Sequence, residues 1–249
     1  MLLFSSCSMF FIDEEPEIIE CEGVYSMHLQ GISINSKGDM FWSWTNELVR
    51  TNMQGEIQKK VKVSEHHGDV FYKDEQLFVA VNLGEFNKSA AEADSWVFVY
   101  DANSLKEIAR YSIPELIYGA GTISFHDGKF IVAGGLASGI TENYLYEYSK
   151  DFSFLKGYTI PSGFILMGIQ TSVNVNGYWL LGCYGDPNFT LLLDNEFQLI
   201  GRKDLDTSLG IANSFNNKIL IGTNNYSEDL KGFIGRATSY NFDKILGEF

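Results

Sequence analysis

The sequence predicts an all-β fold, a β-propeller of five four-stranded blades, on three observations. Glycines that open an apolar run recur at Gly31, Gly68, Gly121, Gly168 and Gly210, spaced 37, 53, 47 and 42 residues apart, which straddles the roughly 40–50-residue period of propeller blades. Nine residues after each glycine a second apolar run begins, at Met40, Leu77, Phe130 and Ile219, with Tyr178 one residue later in the fourth repeat. No segment sustains the 3.6-residue apolar period of an amphipathic helix.

Each blade follows in order. The second runs read MFWSW, LFVAV, FIVAG, YWLLG and ILIGT, continuous apolar stretches that suit strands buried on both faces. Between first and second runs stand SKGD, KDEQ, HDGK, NVNG and NNK, rich in Gly, Asn and Asp, which tolerate the positive φ of tight hairpins. Third strands are expected in ELVRTNM, WVFVYDAN, YLYEYSKD, FTLLLDNE and IGRATSYNFD, and fourth strands in EIQKKVKV, KEIARYSI, FLKGYTI, QLIGRKDL and KILGEF. The fourth set is more polar and alternating, as an exposed edge should be. One blade cannot bury both faces alone, so the blades must close into a ring. Closure is expected where Glu17–Cys21 (EIIEC) extends the short last strand Lys244–Phe249; the alternative is a fragment of a larger propeller, with EIIEC the outer strand of a lost blade. Residues 17–249 then form one propeller domain, with residues 1–16 a separate N-terminal segment.

Composition narrows the function. Hydrophobic residues make up 45% and aromatics 14% of the 249 residues, enough for a sizeable core. The net charge of −14 repels nucleic acid and anionic membrane surfaces. Cys7, Cys21 and Cys183 make neither a disulfide framework nor a metal motif, and no CxxC, HExxH, GxSxG or Walker-type loop occurs. The run Leu3-Phe4-Ser5-Ser6-Cys7 resembles the end of a bacterial lipoprotein signal. It departs from that pattern in lacking a basic start and in its short apolar part. The resemblance implies a lipid anchor at Cys7 and a place in the cell envelope; without it the chain is expected in the cytoplasm.

The pattern of glycine, strand, DG or NG turn, apolar strand and then Tyr100-Asp101-Ala102-Asn103-Ser104-Leu105 resembles the YVTN, NHL and SMP-30-like propeller repeats over residues 28–249. SMP-30-like lactonases hold a divalent ion with one Glu, one Asp and two Asn spread over blades. Asn82, Glu85, Asp186, Asn224 and Asn225 resemble that set in type, oxygen donors suited to Ca²⁺, though not position by position.

In a propeller, the loops entering the inner strand and leaving the second strand form the channel mouth. The entering loops supply His28, His66, His67, Tyr118 and Gln170; the leaving loops supply Asn82, Glu85, Tyr184, Asp186 and Asn224, with Trp44 and Tyr226 nearby. His66-His67-Gly68-Asp69 is the sharpest constellation, two imidazoles and a carboxylate able to bind a metal or exchange protons. Adjacent strand residues point to opposite sides, so the pair does not share one metal, and His28 is the candidate partner. The same histidines also suit strand capping, and Asp69 equally suits a structural place in the inner ring. The insertion Glu85–Ser95 is expected either to cover the mouth or to be a disordered loop. The leading expectation is an exported propeller that binds a small molecule, glycan or protein partner at the channel mouth. The alternative is a divalent-metal hydrolase of lactonase type, and a third is a purely structural interaction platform.

Overall fold

The computed structural model describes residues 16–64, 66–88 and 92–247; Cys7 lies outside them. Five four-stranded antiparallel sheets form the five blades of a β-propeller. Blade 1 is β2 (Leu29–Ile34), β3 (Met40–Trp44), β4 (Glu47–Thr51) and β5 (Ile57–Lys62); blade 2 is β6 (His67–Lys73), β7 (Gln76–Asn82), β8 (Ser95–Asp101) and β9 (Glu107–Ser112). Blade 3 is β10 (Ala120–His126), β11 (Lys129–Gly134), β12 (Asn143–Tyr148) and β13 (Phe154–Ile160); blade 4 is β14 (Leu166–Val175), β15 (Tyr178–Tyr184), β16 (Phe189–Leu193) and β17 (Leu199–Lys203). Blade 5 joins β18 (Ile211–Asn213), β19 (Lys218–Ser227) and β20 (Gly232–Asn241) to β1 (Ile18–Glu20), which comes from the other end of the chain.

Burial follows the pattern expected from composition. Met40–Trp44 is buried throughout, whereas the fourth strands β9 and β13 face solvent along most of their length. The described core residues sort into clusters that each bridge two neighbouring blades. Phe41 and Val70 join blades 1 and 2, Phe78 and Phe130 blades 2 and 3, Leu145 and Trp179 blades 3 and 4, Leu192 and Ile219 blades 4 and 5, and Leu220 and Trp42 blades 5 and 1. The last of these closes the ring.

The recurrent glycines mark where inner strands crowd the axis. A Cβ at Gly31 would lie 2.3 Å from Asp69 Oδ1, one at Gly68 2.5 Å from the Gly121 carbonyl, and one at Gly121 2.9 Å from the Ile169 carbonyl. Gly210 abuts Ile32 of blade 1 in the same manner. Each of these four glycines therefore admits the inner strand of the next blade at close contact; Gly168, with φ 70°, packs instead on Gly134 of blade 3. The register of β2, β6, β10 and β14 shifts at these places. A bulge there bends the strand and re-aims its side chains.

Closure differs in one respect from expectation. The described residues of KILGEF do not form a fourth strand: Phe242–Leu246 is a one-turn helix, α1, whose N-cap Asn241 accepts a hydrogen bond from the Lys244 amide. Phe242 and Ile245, three apart on one helix face, bury into the seam of blades 4 and 5, and that burial decides the local conformation. The fourth strand of blade 5 is EIIEC itself. Ile18, Ile19 and Glu20 pair with Thr238, Ala237 and Arg236, and Glu20 meets the Arg236 guanidinium at 2.9 Å. The following residues reach across to blade 1: the Glu22 amide donates to the Gly55 carbonyl at 2.9 Å, and the Ile57 amide donates to Glu22 Oε2 at 2.8 Å. Tyr25 stacks on Trp44 with ring centroids 3.9 Å apart.

The residues that carry the repeat resemblance serve this architecture. Asp101 Oδ1 accepts from the Ser104 amide at 2.7 Å and from its hydroxyl at 2.6 Å, closing the turn between β8 and β9, while Ala102 and Leu105 plug into the core.

Candidate functional site

At the end of the channel where inner strands begin, the loops surround a cup of about 310 Å³, near the lower end of the size range of ligand sites. His28, His66, His67, Asn82, Gln170 and Tyr184 line it, together with Met27, Gln30, Thr45, Phe86, Met167 and the backbone around Gly68 and Gly121. All blades but the fifth contribute. The described lining contains no Asp, Glu, Lys or Arg. Its surface is mainly apolar, from Met27, Met167, Phe86 and Tyr184, with a few amide, hydroxyl and imidazole edges between.

Each lining side chain is set by its local structure. His66 precedes β6 with φ 68° and Met167 lies in β14 with φ 60°, a left-handed conformation that costs a non-glycine residue about 1 kcal/mol or more and tends to collect at functional sites. His67, one residue on, turns its ring toward the seam of blades 1 and 2. There its Nε2 pairs with the Tyr100 hydroxyl at 2.7 Å, and its ring meets Phe98 edge-on. Burial holds the His67 pKa down to about 4, so its ring is neutral near pH 7. His28 Nε2 lies 2.8 Å from Gln30 Nε2, so it accepts from the amide, which also donates to Thr45 Oγ1 at 3.2 Å. Burial lowers the His28 pKa too. The Gln170 amide donates to the Met167 carbonyl at 2.5 Å and so fixes the strained turn.

Sequence reasoning missed Met27, Thr45, Met167 and Phe86 in this lining. Phe86 belongs to the irregular insertion after β7 and presses on Gly119, where an added Cβ would lie 2.2 Å from its ring. Asn82 anchors that insertion, donating to the Gly84 carbonyl at 2.7 Å and accepting from the Asp94 amide at 3.0 Å. The signal available in the sequence was the position of the insertion, not its periodicity.

Asp69 is not in the cup. It sits beneath, fully buried on the channel axis, because the bulge in β6 turns it inward. Its Oδ1 accepts from the Val70 amide at 2.9 Å, and its Oδ2 from Thr122 Oγ1 at 2.7 Å and the Ser172 amide at 3.3 Å. Thr122 Oγ1 is 2.7 Å from Ser172 Oγ, which is 2.8 Å from Ser124 Oγ, and Ser124 Oγ donates to the Ser172 carbonyl at 2.6 Å. Burial raises the Asp69 pKa well above the carboxylic range, against the opposing pull of these hydrogen bonds. With Thr122 donating to Asp69, Ser172 Oγ can donate to Thr122 and Ser124 donates to the Ser172 carbonyl, so every hydroxyl is satisfied. This layer links blades 2, 3 and 4 and floors the cup.

The remaining expected residues stand apart from the cup. Tyr118 lines a small cleft with Tyr144 and Tyr146. Glu85 and Asp186 are exposed on loops of the mouth face. Asn224 accepts from the Leu29 amide at 2.6 Å and ties blade 5 to blade 1. Trp44, at the mouth end of β3, is fully buried beneath Tyr25, as the blade-to-blade packing of the second strands leads one to expect. Of the oxygen set that resembled a Ca²⁺ site, Asn82 and Asn224 are committed to backbone groups. Among the described residues no three His, Cys, Asp or Glu side chains converge to hold a metal ion. The described helix is also far too short to cross a membrane.

Neither a family model nor a curated relative matches the sequence. By structure the chain is similar to a protein of unknown function from Bacteroides caccae, 13% identical over 78% of this chain and 70% of that one, with a TM-score of 0.48. It is similar also to BamB from Moraxella catarrhalis, 11% identical over 84% and 82%, with a TM-score of 0.37.

Proposed function

We propose that this propeller is a binding module whose cup at the channel mouth takes a neutral ligand with an apolar body and hydrogen-bonding edges, either a small molecule, a glycan or a side chain offered by a protein partner. The observation that carries this reading is the lining: an apolar concavity without a formal charge in its described wall, walled by thioethers and aromatic rings with a few polar edges. A charged ligand would lose its hydration there without a counter-charge, whereas an apolar body gains about 25 cal/mol per Å² it buries. Amide and imidazole edges at Gln30 and His28 supply orientation.

Export completes the reading. Its support is the Leu3–Cys7 run, with a lipid on Cys7 as anchor in the cell envelope. The Ile18 end of β1 lies beside Thr238, toward the end of β20 farther from the mouth, so the chain before β1 enters blade 5 from the opposite face.

The test is chemical-shift mapping with a matched probe set: indole and phenyl glucoside as neutral probes, benzoate and benzylamine as charged ones. Neutral probes are expected to shift Met27 and Met167 methyl signals, and Phe86→Ala to weaken the effect. Equal shifts from all four probes, or none from any, sink the reading.

A further inference from the structure

The face around the cup combines two surface features. Exposed apolar side chains crowd it: Met27, Leu83, Phe164, Leu166, Met167 and Tyr226 all stand on loops or strand ends of the mouth. Single exposed apolar residues are ordinary, but a group on one face marks an interaction surface. Between them the loops are acidic. Glu85, Glu142, Asp186, Asp204, Asp206 and Asp229 are exposed there, whereas among the described loop residues of this face the lysines are Lys88 and Lys231 and there is no arginine. The acidic rim thus encircles a cup with no formal charge in its described wall.

We infer that the mouth face docks a cationic, amphipathic polypeptide segment that lays Lys or Arg side chains on the acidic rim and inserts one apolar or aromatic side chain into the cup. This rests on the reading of the cup as a binding site and names its partner. The charge pattern argues for that occupant. An anionic partner meets repulsion around the whole rim. A second copy of this acidic chain, at −14, would set like charges against each other. A basic segment gains steering and register from the rim and affinity from a desolvated central anchor ringed by polar contacts, the usual distribution of energy in an interface. The cup volume of about 310 Å³ fits one large side chain with room for part of its backbone.

The experiment uses the full chain and three synthetic peptides: a Lys/Leu peptide with a central Trp, the same peptide with Ala in place of Trp, and a Glu/Leu analogue with the Trp. Binding is read by fluorescence anisotropy at low and moderate salt. The Lys/Leu/Trp peptide is expected to bind at least tenfold more tightly than either other peptide and to weaken with salt. The rim variant Glu142→Gln/Asp186→Asn/Asp229→Asn is expected to lose about tenfold. The control Asp127→Asn/Glu196→Gln/Asp243→Asn, which neutralises as many charges on the opposite face, is expected to change little. Equal losses from both triple variants would show a diffuse field and overturn the rim. Loss on the rim variant with no dependence on the central Trp supports the rim and overturns the cup. No binding of the Lys/Leu/Trp peptide, or equal binding of the Glu/Leu peptide, overturns the inference outright.

Discussion

The cup and the layer beneath it are built from the same inner strands, a few ångströms apart along one axis, yet they are opposites. In the lower layer the polar groups find partners inside the protein: a carboxyl, three hydroxyls and backbone amides close on one another. In the cup the apolar groups lack a cover and two residues, His66 and Met167, hold strained backbone. A satisfied polar layer resists change because loss of any member strands the others. An uncovered apolar layer is stable only at the expense of exposed surface, and a ligand can relieve that. The difference separates what holds this ring together from what the ring is able to bind.

Removing the closure that both layers depend on should have the largest effect. Deletion of residues 1–22 takes away β1 and the buried side chains of Ile19 and Cys21, worth roughly 4 kcal/mol at the usual value for buried side chains. Thermal unfolding should fall by about 10 °C; an unchanged midpoint would break the closure model.

Asp69→Ala strikes the lower layer alone. It strands the Thr122 hydroxyl and the Ser172 amide, and the expected loss is roughly 2–4 kcal/mol in urea unfolding. Asp69→Asn keeps most of the network and should cost far less. It should also alter pH dependence. The folded pKa of Asp69 is raised, so the folded state binds more protons than the unfolded one. Its stabilising contribution is complete below the unfolded carboxylate pKa and declines as pH rises toward the folded value. Asp69→Asn should therefore gain relative to the native protein as pH rises above the unfolded carboxylate pKa of about 3.9. Parallel pH profiles would refute protonation of the layer.

His67 stands between the two layers and works in the opposite direction. Its folded pKa of about 4 lies below the ordinary 6.5, so the unfolded state binds the proton more readily. Stability is complete above pH 6.5 and falls as pH drops toward 4, by about 1.4 kcal/mol per unit of pKa difference and roughly 3 kcal/mol in all. His67→Gln, which retains a partner for Tyr100, should flatten this acid limb; a limb of unchanged steepness would assign it elsewhere.

The smallest effect on stability belongs to the cup. Phe86→Ala should move the unfolding midpoint by under about 1 kcal/mol, since the ring is partly exposed. Binding of a neutral aromatic probe should fall by about tenfold. A variant that lost stability and kept binding would reverse the contrast between the layers.

Much of this molecule was legible before any coordinates. The five glycines, the hairpin turns and the second strands each carry a local signal, and repetition multiplied it. The cup was legible only in part. His28, His66, His67, Asn82, Gln170 and Tyr184 could be assigned to the mouth because strand order decides which loops meet there. Phe86 could not, because it lies in an irregular insertion with no period to anchor it. For Asp69 the sequence left a ligand role and an inner-ring role open, since a bulge that turns a side chain toward the axis leaves no trace in alternation. Asn224 was read as a free donor, yet it is held by the Leu29 amide 195 residues away.

What the sequence alone determined is therefore the blade: its strands, its turns, its glycine at the axis, because each depends on neighbours within about ten residues. What the tertiary structure decided is membership. Whether a polar side chain is spent inside the fold or offered to a ligand depends on partners brought close only by ring closure. That closure set a carboxyl among hydroxyls from two other blades and left two methionines and a phenylalanine facing an open cup.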